Sequence, residues 1–432
     1  MKILRAGERG FDRYLSEVEG RVMQDALGLE KEVRSILKDV KNRGDKALVH
    51  YTQVFDGLQI PIHQLQVKKS EVREAYRKIP KDFLETLKRA AHRIRKFHQL
   101  QSKRWVLSLK EEEKGIRLEQ LIKPLERVGI YVPGGKASYP STVFMAALPA
   151  RVAGVREILM VTPPQKEGIS PAVLIAADLA GVDRIYQIGG AQAIAALTYG
   201  TKSIPKVDKI VGPGNQYVAT AKRLVYGEVD IDMVAGPSEI VIVSDENTSP
   251  SYVAADLISQ AEHDEMAMAI LITTPDAFGR KVMKEMERQL ITLKRKNIAS
   301  TSLNRRGAIL IVKDLEQAME LANRIAPEHL ELAVSRPYSL LRSVKHAGAV
   351  FLGSHTPVAI GDYMAGPNHI LPTAGTARFS SPLGVEDFIK RTNLMRFTRS
   401  ALRRYEKDVE RFAEWEGLEG HYRAVQIRMK RS

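Results

Sequence analysis

The segment Val128-Gly-Ile-Tyr-Val-Pro-Gly-Gly135 decides the fold, because a short apolar run there ends in a glycine-rich turn. A helical pattern of small residues follows from about Ser141 to Ala153. Strands that alternate with helices at this spacing are typical of a parallel, doubly wound sheet. The same alternation continues with strands at 156–162, 184–188 and 208–211 and helices at 170–180, 191–199 and 215–226.

A second α/β pattern follows the first one. Its strands are expected at 240–243, 269–273, 308–312 and 349–352, and its helices near 250–263, 275–297 and 314–325. The first 120 residues predict amphipathic helices at 30–43, 69–78 and 81–103, and the chain after about residue 383 also has a charged, helical pattern. The predicted fold class is α/β, with two doubly wound, incomplete Rossmann-like parallel-sheet domains between helical N- and C-terminal segments.

The composition bounds the class of protein. A chain of 432 residues with 44% hydrophobic and 27% charged residues is typical of a soluble globular protein with more than one core. No apolar run reaches the roughly 20 residues that a membrane helix needs, and no apolar signal segment follows Met1. We therefore expect no membrane partner and a cytoplasmic location. With no cysteine in the chain, catalysis must run without a thiolate, and any metal must be held by nitrogen and oxygen donors.

The net charge of +15 has three interpretations. It could indicate nucleic-acid binding, a basic field that attracts an anionic dinucleotide, or simply lysine and arginine on solvated helix faces. The basic residues are diluted among acids, as in Lys110-Glu-Glu-Glu-Lys114, and no basic run is interleaved with aromatic residues. We therefore favour solvated helix faces and expect no nucleic-acid partner.

Three glycine-rich turns lie where predicted strands lead into helices. Glycine lets the backbone approach a phosphate, and the N-terminus of the following helix offers N–H groups to an anion. None of the turns matches the dinucleotide fingerprint G-x-G-x-x-G, and each alone also fits an ordinary tight turn. Together they would face one crevice at the carboxyl end of the sheet, which favours a ligand site. The turns are Pro133-Gly-Gly135, Gly189-Gly-Ala-Gln192 and Gly212-Pro-Gly-Asn215.

Four polar residues far apart in the chain are candidate metal ligands. Gln260 and His263 are three residues apart and share a helix face, Asp362 lies in a loop flanked by glycine, and His421 lies in a helical pattern. Two histidines and a carboxylate suit zinc, with an amide oxygen as a further donor. Each residue by itself also fits a packing, turn or surface role, so the long spacing leaves both interpretations open.

The adjacent pair Glu328-His329 follows Pro327. Such a pair could act as acid and base on two sides of one substrate. The alternative is the first turn of a helix, where proline is favoured and a glutamate interacts well with the helix dipole. The residues alone do not decide between the two.

Taken together, these motifs resemble the histidinol dehydrogenase family. The longest match runs from Ile231-Asp-Met-Val-Ala-Gly-Pro-Ser-Glu-Ile240 to Ala255-Asp-Leu-Ile-Ser-Gln-Ala-Glu-His263. The resemblance extends from about residue 40 to the C-terminus and is weakest in the N-terminal helical region. Further matches are Tyr131-Val-Pro-Gly-Gly-Lys-Ala-Ser-Tyr-Pro-Ser141, Gly189-Gly-Ala-Gln-Ala193, Val207-Asp-Lys-Ile-Val-Gly-Pro-Gly-Asn215, Ala326-Pro-Glu-His-Leu330, Gly366-Pro-Asn-His-Ile-Leu-Pro-Thr373, Ser381-Pro-Leu-Gly-Val385 and Glu416-Gly-Leu418.

The resemblance implies a role for each candidate residue. It implies that Glu328 and His329 are the acid/base pair. It also implies a homodimer in which the C-terminal segment, with Glu416 and His421, completes the site of the partner subunit. The implied ligands of one zinc ion per subunit are Gln260, His263, Asp362 and His421. The implied NAD+-binding residues are Tyr131, Gln192 and Asn215, and the implied substrate-binding residues are Ser238, Gln260, His263, His329, Asp362, Glu416 and His421.

The implied reaction is the four-electron oxidation of L-histidinol to L-histidine through L-histidinal, with two NAD+, in the last steps of histidine biosynthesis. Because the chain has no cysteine, the aldehyde must be hydrated before the second oxidation rather than bound as a thiohemiacetal. The alternative is a paralogous NAD- and zinc-dependent dehydrogenase of another small alcohol or diol. The presence of Glu416 and His421 favours histidinol.

The sequence predicts that the chain divides into four parts. Residues 1–27 form an N-terminal helical segment, and residues 28–129 together with 238–382 form an α/β domain with the metal and catalytic residues. Residues 130–237 form the α/β domain with the dinucleotide site. Residues 383–432 are predicted to form a C-terminal helical segment, which the resemblance implies is exchanged between subunits.

Overall fold

The computed structural model describes residues 1–21, 27–105, 110–134 and 138–429. Gly135 of the first glycine-rich turn and the last three residues lie outside these ranges. The strands are β1 Lys2–Arg5, β2 Lys110–Glu113, β3 Ile116–Pro124, β4 Arg127–Tyr131, β5 Glu157–Thr162, β6 Arg184–Gln187, β7 Lys209–Val211, β8 Asp230–Ile231, β9 Glu239–Ser244, β10 Met268–Thr273, β11 Ala308–Ile311, β12 His329–Ala333, β13 Ala349–Leu352 and β14 Ile389–Phe397.

The helices lie mostly where the apolar periodicity predicts them. A five-residue π-helical turn, Gly361–Ala365, follows the short α14 directly. The helices are α1 Arg9–Glu19, α2 Leu27–Arg43, α3 Asp45–Asp56, α4 Lys69–Ala75, α5 Lys81–Trp105, α6 Pro140–Ala153, α7 Pro171–Ala180, α8 Gly190–Tyr199, α9 Gln216–Val225, α10 Pro250–Ala261, α11 Asp276–Leu290, α12 Lys296–Arg306, α13 Leu315–Ile325, α14 Val358–Ile360, α15 Arg399–Trp415 and α16 Glu419–Met429. None of the helices in these described ranges is long and apolar enough to span a bilayer.

A six-stranded parallel sheet has the order β1-β11-β10-β9-β12-β13. Its middle strands β9 and β10 are buried throughout, as expected for strands covered on both faces. Ile240 and Ile242 pack under α10 to α12, and Val241 and Val243 pack under α1 and α13. The sheet is therefore doubly wound, and it places the ends of β9 and β12 side by side.

A five-stranded parallel sheet has the order β6-β5-β4-β7-β8. One face packs on α5, α6 and α7, and the other packs on α2, α3, α8 and α9. Small residues bring these layers close together: a Cβ added to Gly129 would lie 2.8 Å from the Leu197 side chain. The helices between residues 27 and 105 thus pack on this sheet.

The four-part division of the chain stays a prediction.

A three-stranded antiparallel sheet, in the order β14-β3-β2, corrects the expectation of purely helical flanking segments. β3 pairs with β14 along its whole length, from Ile116 opposite Phe397 to Pro124 opposite Ile389. Nearly all of β14 is exposed, so its polar and apolar residues do not separate into a buried and a solvated face. Its sequence therefore looks like a charged helix, although the chain is extended.

Candidate active site

The Glu328-His329 pair lies at the start of β12, between β9 and β13 in the six-stranded sheet. The alternative that places it in the first turn of a helix is wrong. α13 ends at Ile325, Ala326 adopts a left-handed conformation with φ 49°, and the chain then becomes extended. Both side chains are buried, with 7% of Glu328 and 5% of His329 exposed. Two ionisable groups buried together need partners of their own.

One residue of the neighbouring strand, Glu239, supplies those partners through its backbone. Its N–H donates to Glu328 Oε2 at 2.8 Å, and its carbonyl accepts a hydrogen bond from His329 Nδ1 at 2.9 Å. Nδ1 also lies 3.4 Å from Glu328 Oε2. Because Nδ1 is held by a carbonyl, Nε2 is the nitrogen left to exchange a proton with a ligand.

Opposing effects act on the pKa of His329. Burial lowers it, but the Glu328 carboxylate and, more weakly, Asp362 raise it, and the net result is a pKa of about 9. Near neutral pH the His329 imidazole is therefore protonated and lies beside the Glu328 carboxylate. A pair that holds one proton in a buried pocket is suited to acid/base chemistry.

The π-helical turn Gly361–Ala365 brings Asp362 to the same place. His369 follows it, with Nδ1 3.1 Å from the Asp362 carbonyl and 3.7 Å from Asp362 Oδ1. Burial lowers the pKa of His369, so its imidazole is neutral near pH 7. Asn368 anchors this loop by donating to the Met145 carbonyl at 2.7 Å. The loop thus adds a carboxylate and a neutral imidazole to the surroundings of His329.

The predicted metal ligands are only partly brought together. Gln260 is buried in the last turn of α10, and His263 is exposed just beyond the end of that helix. Burial raises the pKa of Tyr363, and the nearby charges of Asp362 and Glu262 raise it further, so the end of α10 lies near the π-helical turn. His421 lies on exposed α16, and in the described part of the chain no three acidic or histidine side chains form a metal-sized group. The donor types fit zinc, but one chain does not assemble all four.

Ser238 and Glu416, the other predicted substrate residues, lie on different parts of the molecule. Ser238 immediately precedes β9, and its carbonyl accepts from the Met268 N–H at 2.9 Å. Glu416 caps the end of α15 and is exposed. Only Ser238 therefore lies next to the Glu328-His329 pair in the chain's own fold.

The three predicted dinucleotide residues lie at the carboxyl ends of strands in the five-stranded sheet. Tyr131 ends β4, and its hydroxyl accepts from the Gly190 N–H at 3.1 Å. Asn215 caps α9 by accepting from the N–H groups of Tyr217 and Val218, both at 3.1 Å. Gln192, in the first turn of α8, is 1% exposed, and its amide oxygen and nitrogen have no partner among the described residues. A buried amide without partners fits a position that a polar ligand completes.

Gly212 fixes the turn after β7, next to Tyr131. Its φ of 109° is unfavourable for a residue with a side chain, and an added Cβ would lie 2.2 Å from the Tyr131 carbonyl oxygen. The Gly212 N–H donates to Asp232 at 2.7 Å, and its carbonyl accepts from Lys222 at 2.9 Å. The turn is therefore a fixed platform rather than a loose loop.

Comparison with known proteins identifies the family of the chain. The model of the histidinol dehydrogenase family matches residues 20–429. The chain belongs to the histidinol dehydrogenase family. It is similar to histidinol dehydrogenases of Syntrophotalea carbinolica, 53% identical with 100% of both chains covered, and Bacillus cereus, 55% identical with 93% of both covered. A crystal structure of histidinol dehydrogenase from Elizabethkingia anophelis matches with a TM-score of 0.92 at 37% identity, covering 99% of this chain and 98% of the other.

Membership of the histidinol dehydrogenase family confirms several predictions made from the sequence. The α/β fold class is confirmed by the match to a solved member over nearly the whole chain. The chain is an NAD-dependent dehydrogenase, and the family supports the oxidation of histidinol in histidine biosynthesis as its reaction. The roles of individual residues stay predictions.

The sequence did not single out His369, although it matched the surrounding motif. A histidine after Gly-Pro-Asn has no periodic pattern to mark it, and its neighbour Asp362 comes seven residues earlier through a π-helical turn. The only usable signal was its place in a motif that the histidinol dehydrogenase family shares.

Proposed function

We propose that the chain catalyses the zinc-dependent, four-electron oxidation of L-histidinol to L-histidine through L-histidinal, with two NAD+. The observation that carries this proposal is the arrangement of Glu328 and His329. The backbone of Glu239 holds both side chains, the carboxylate and the imidazole lie side by side, and His329 Nε2 remains available to a substrate. Two successive oxidations at one carbon need such a reusable pair of proton acceptors.

In the first oxidation, His329 acts as the base. Nε2 must be free of its proton to act, so the working form of the pair is a neutral imidazole beside the Glu328 carboxylate. His329 takes the hydroxyl proton of histidinol while the carbon releases a hydride, which leaves the aldehyde. Each bound NAD+ accepts one hydride, so the complete reaction consumes two.

The second oxidation needs water, and we assign its activation to Glu328. Without cysteine the enzyme has no thiol to add to the aldehyde. Glu328 takes a proton from water as the water oxygen adds to the carbonyl carbon. The protonated His329 returns its proton to the carbonyl oxygen, so the aldehyde becomes a gem-diol and His329 is again a neutral base. His329 then removes a hydroxyl proton from the diol as the second hydride leaves, and the product is a carboxylic acid.

Gln260, His263, Asp362 and His421 would hold the metal. A bound divalent ion would orient the nitrogen atoms of the substrate and keep the reacting carbon facing the nicotinamide. Gln260, His263 and Asp362 lie on two neighbouring elements of one chain, whereas His421 lies on a separate helix. The donor set thus needs a second chain or a rearranged C-terminal segment.

The exposed surface of the C-terminal segment favours a second chain, in a homodimer with exchanged segments. α15 buries only Ala401 and Ala413, and α16 buries no residue. Several large apolar side chains of the segment face solvent, with Phe412 70%, Trp415 94% and Ile427 67% exposed. A surface of this kind is expected to be covered by a partner. Covering it would bring Glu416 and His421 to the partner's site.

The cytoplasmic location stays a prediction.

The test is the ratio of NADH formed to histidinol consumed. With limiting L-histidinol the enzyme should form two NADH per substrate, and with L-histidinal one. A chelator should abolish activity, and added zinc should restore it. Alaninol, an amino alcohol without an imidazole, is the control. One NADH per histidinol would show that the enzyme does not carry out the second oxidation. Equal activity on alaninol would support a paralogous dehydrogenase of another small alcohol.

A further inference from the structure

Arg21, just after α1, reaches the back of the acid/base site. Its Nε and Nη2 donate to the two carboxylate oxygens of Glu239 at 2.6 and 2.9 Å. The arginine side chain is 7% exposed and the glutamate side chain 4%. This is a bidentate, buried ion pair, the geometry in which arginine holds a carboxylate most rigidly.

Arg21 also holds the turn that leads into the Glu328-His329 pair. Its Nη2 donates to the carbonyl of Ile325 at 2.8 Å, and its Nη1 donates to the carbonyl of Val18 at 2.6 Å. Ile325 ends α13 and is followed by the left-handed Ala326. One guanidinium therefore connects the first residue of β9 to the chain three residues before Glu328.

This position matters because Glu239 holds both reacting groups with its backbone. The Glu239 N–H fixes Glu328 and the Glu239 carbonyl fixes His329. A shift of Glu239 moves both hydrogen bonds together. Misplacing a reacting group by about 1 Å can cost roughly 100-fold in rate, so a small movement at Glu239 has a large catalytic effect.

We propose that Arg21 is a positioning residue, which sets the geometry of the Glu328-His329 pair by clamping Glu239 against the Ile325–Glu328 turn. The proposal rests on the acid/base function proposed for that pair. The simpler interpretation is that the ion pair only anchors α1. Buried ion pairs are weak sources of net stability, which favours a role in geometry.

The chain offers a matched control for anchoring. Arg324 Nε pairs with Glu19 at 2.8 Å and also ties α1 to α13, but on the surface, where the two side chains are 54% and 33% exposed. Arg324→Met thus removes a link between the same two helices without touching Glu239. It should leave kcat and both KM values unchanged.

The experiment is a double-mutant cycle on kcat with Arg21→Met, Glu239→Gln and the double variant, measured well below their unfolding temperatures. Arg21→Met should lower kcat by about 10–100-fold while the KM values for histidinol and NAD+ change less than about threefold. The double variant should recover part of that loss, because it no longer buries an unpaired carboxylate. Wild-type kcat in folded Arg21→Met would overturn the proposal.

Arg21→Lys keeps the positive charge but loses the bidentate contact with the Glu239 carboxylate. It provides a second test if Arg21→Met does not fold. It should lower kcat by about 3–10-fold, and wild-type kcat in this variant would also overturn the proposal. His329→Asn is measured in parallel. If His329→Asn is inactive and Arg21→Met is fully active, only the role of Arg21 fails. If His329→Asn keeps wild-type kcat, the acid/base function fails and the role of Arg21 fails with it.

Discussion

The two parallel sheets prepare their functional ends in different ways. At the six-stranded sheet, Glu328 and His329 are buried and already hydrogen-bonded through Glu239. At the five-stranded sheet, Gln192 is equally buried but has no partner among the described residues, and Gly212 packs closely against the Tyr131 backbone. The first end holds its reacting groups in place before a ligand arrives, and the second leaves hydrogen bonds for a ligand to complete.

This difference predicts which kinetic parameter changes when residues at each sheet are substituted. Groups that are already positioned stabilise a transition state, so their loss lowers kcat. Groups that wait for a ligand contribute to binding, so their loss raises KM or Kd. The comparison can be tested by substitutions at each end.

The largest effect is expected at the Glu328-His329 pair. His329→Asn should slow both half-reactions, and Glu328→Gln should slow histidinal oxidation much more than histidinol oxidation, because only the second step needs activated water. Loss of a positioned base costs about 10²–10⁴-fold. Single-turnover NADH formation from each substrate measures the two steps, and His63→Asn, an exposed histidine, is the control. Equal losses in both steps for Glu328→Gln would contradict its role.

Glu328→Gln should also change the pH dependence of the first oxidation. The Glu328 carboxylate raises the pKa of His329, so removing its charge lowers that pKa. Less of the imidazole is then protonated at a given pH, and the rise of kcat/KM with pH should move to lower pH. A rise that stays in place or moves to higher pH would contradict this assignment.

The next effect concerns the metal donors shared between subunits. His263→Asn and His421→Asn should each lose metal and nearly all activity. Mixed and allowed to exchange, they should form heterodimers in which one site carries both lesions and the other none, so activity returns. Elemental analysis and the assay measure the two outcomes, and heterodimer formation is checked with two affinity tags. Confirmed heterodimers without activity would show that each tail serves its own subunit.

A smaller effect, with opposite signs on stability and binding, is expected at the five-stranded sheet. Gln192→Met keeps the size of the side chain and removes a buried amide without partners, which should stabilise the free protein by about 1–3 kcal/mol. The KM for NAD+ should rise by about 3–10-fold because a hydrogen bond to the ligand is lost. Thermal unfolding and initial rates measure the two changes.

The control for this variant is Gln289→Met. The Gln289 amide already donates to the Ser251 carbonyl at 3.0 Å, so this substitution should destabilise the protein and leave the KM for NAD+ unchanged. If Gln192→Met destabilises the free protein or leaves the KM unchanged, the contrast between the two sheets fails.

The last effect is on the pH dependence of stability and not on activity. Glu331, on β12, faces Asp256 of α10, and burial raises the pKa of Glu331 to about 9. The folded protein therefore keeps a proton that the unfolded chain releases above about pH 5, and stability should fall as pH rises from about 5 to 9. One proton gives a slope of up to about 1.4 kcal/mol per pH unit.

Glu331→Gln keeps a hydrogen-bond donor toward Asp256 and should remove this slope. Urea unfolding at several pH values measures it, with Glu285→Gln, which lies on the surface helix α11, as the control. An unchanged slope in Glu331→Gln would show that Glu331 is ionised in the folded protein.

Much of the fold could be predicted because most of its strands are apolar and lie between helices. β9 and β10 each contain an uninterrupted apolar run, and the glycine turns after β6 and β7 mark strand ends. β12 was missed because His329 and Glu331, two ionisable residues, interrupt it. β14 was missed because its partner β3 lies more than 260 residues earlier and neither strand has a clearly buried face.

The candidate site was predictable in its residues but not in its supporting contacts. Glu328, His329 and Asp362 carry recognisable motifs. Arg21 has none, because its function depends on a contact with Glu239 that is 218 residues away. No local pattern can report such a contact, since the side chain looks like any other arginine after an amphipathic helix.

β1 pairs with β11, so that Lys2 lies opposite Ala308. The two parallel sheets can therefore be completed at different times during synthesis on the ribosome. All five strands of the five-stranded sheet lie between residues 127 and 231, so that sheet can form early. β1 must wait for about 300 more residues, which at 5–20 residues per second takes roughly 15–60 seconds. During that interval β1 has no strand to pair with, and Arg21 lacks its contact with Ile325, because β11 and the end of α13 are still inside the translation machinery or not yet made.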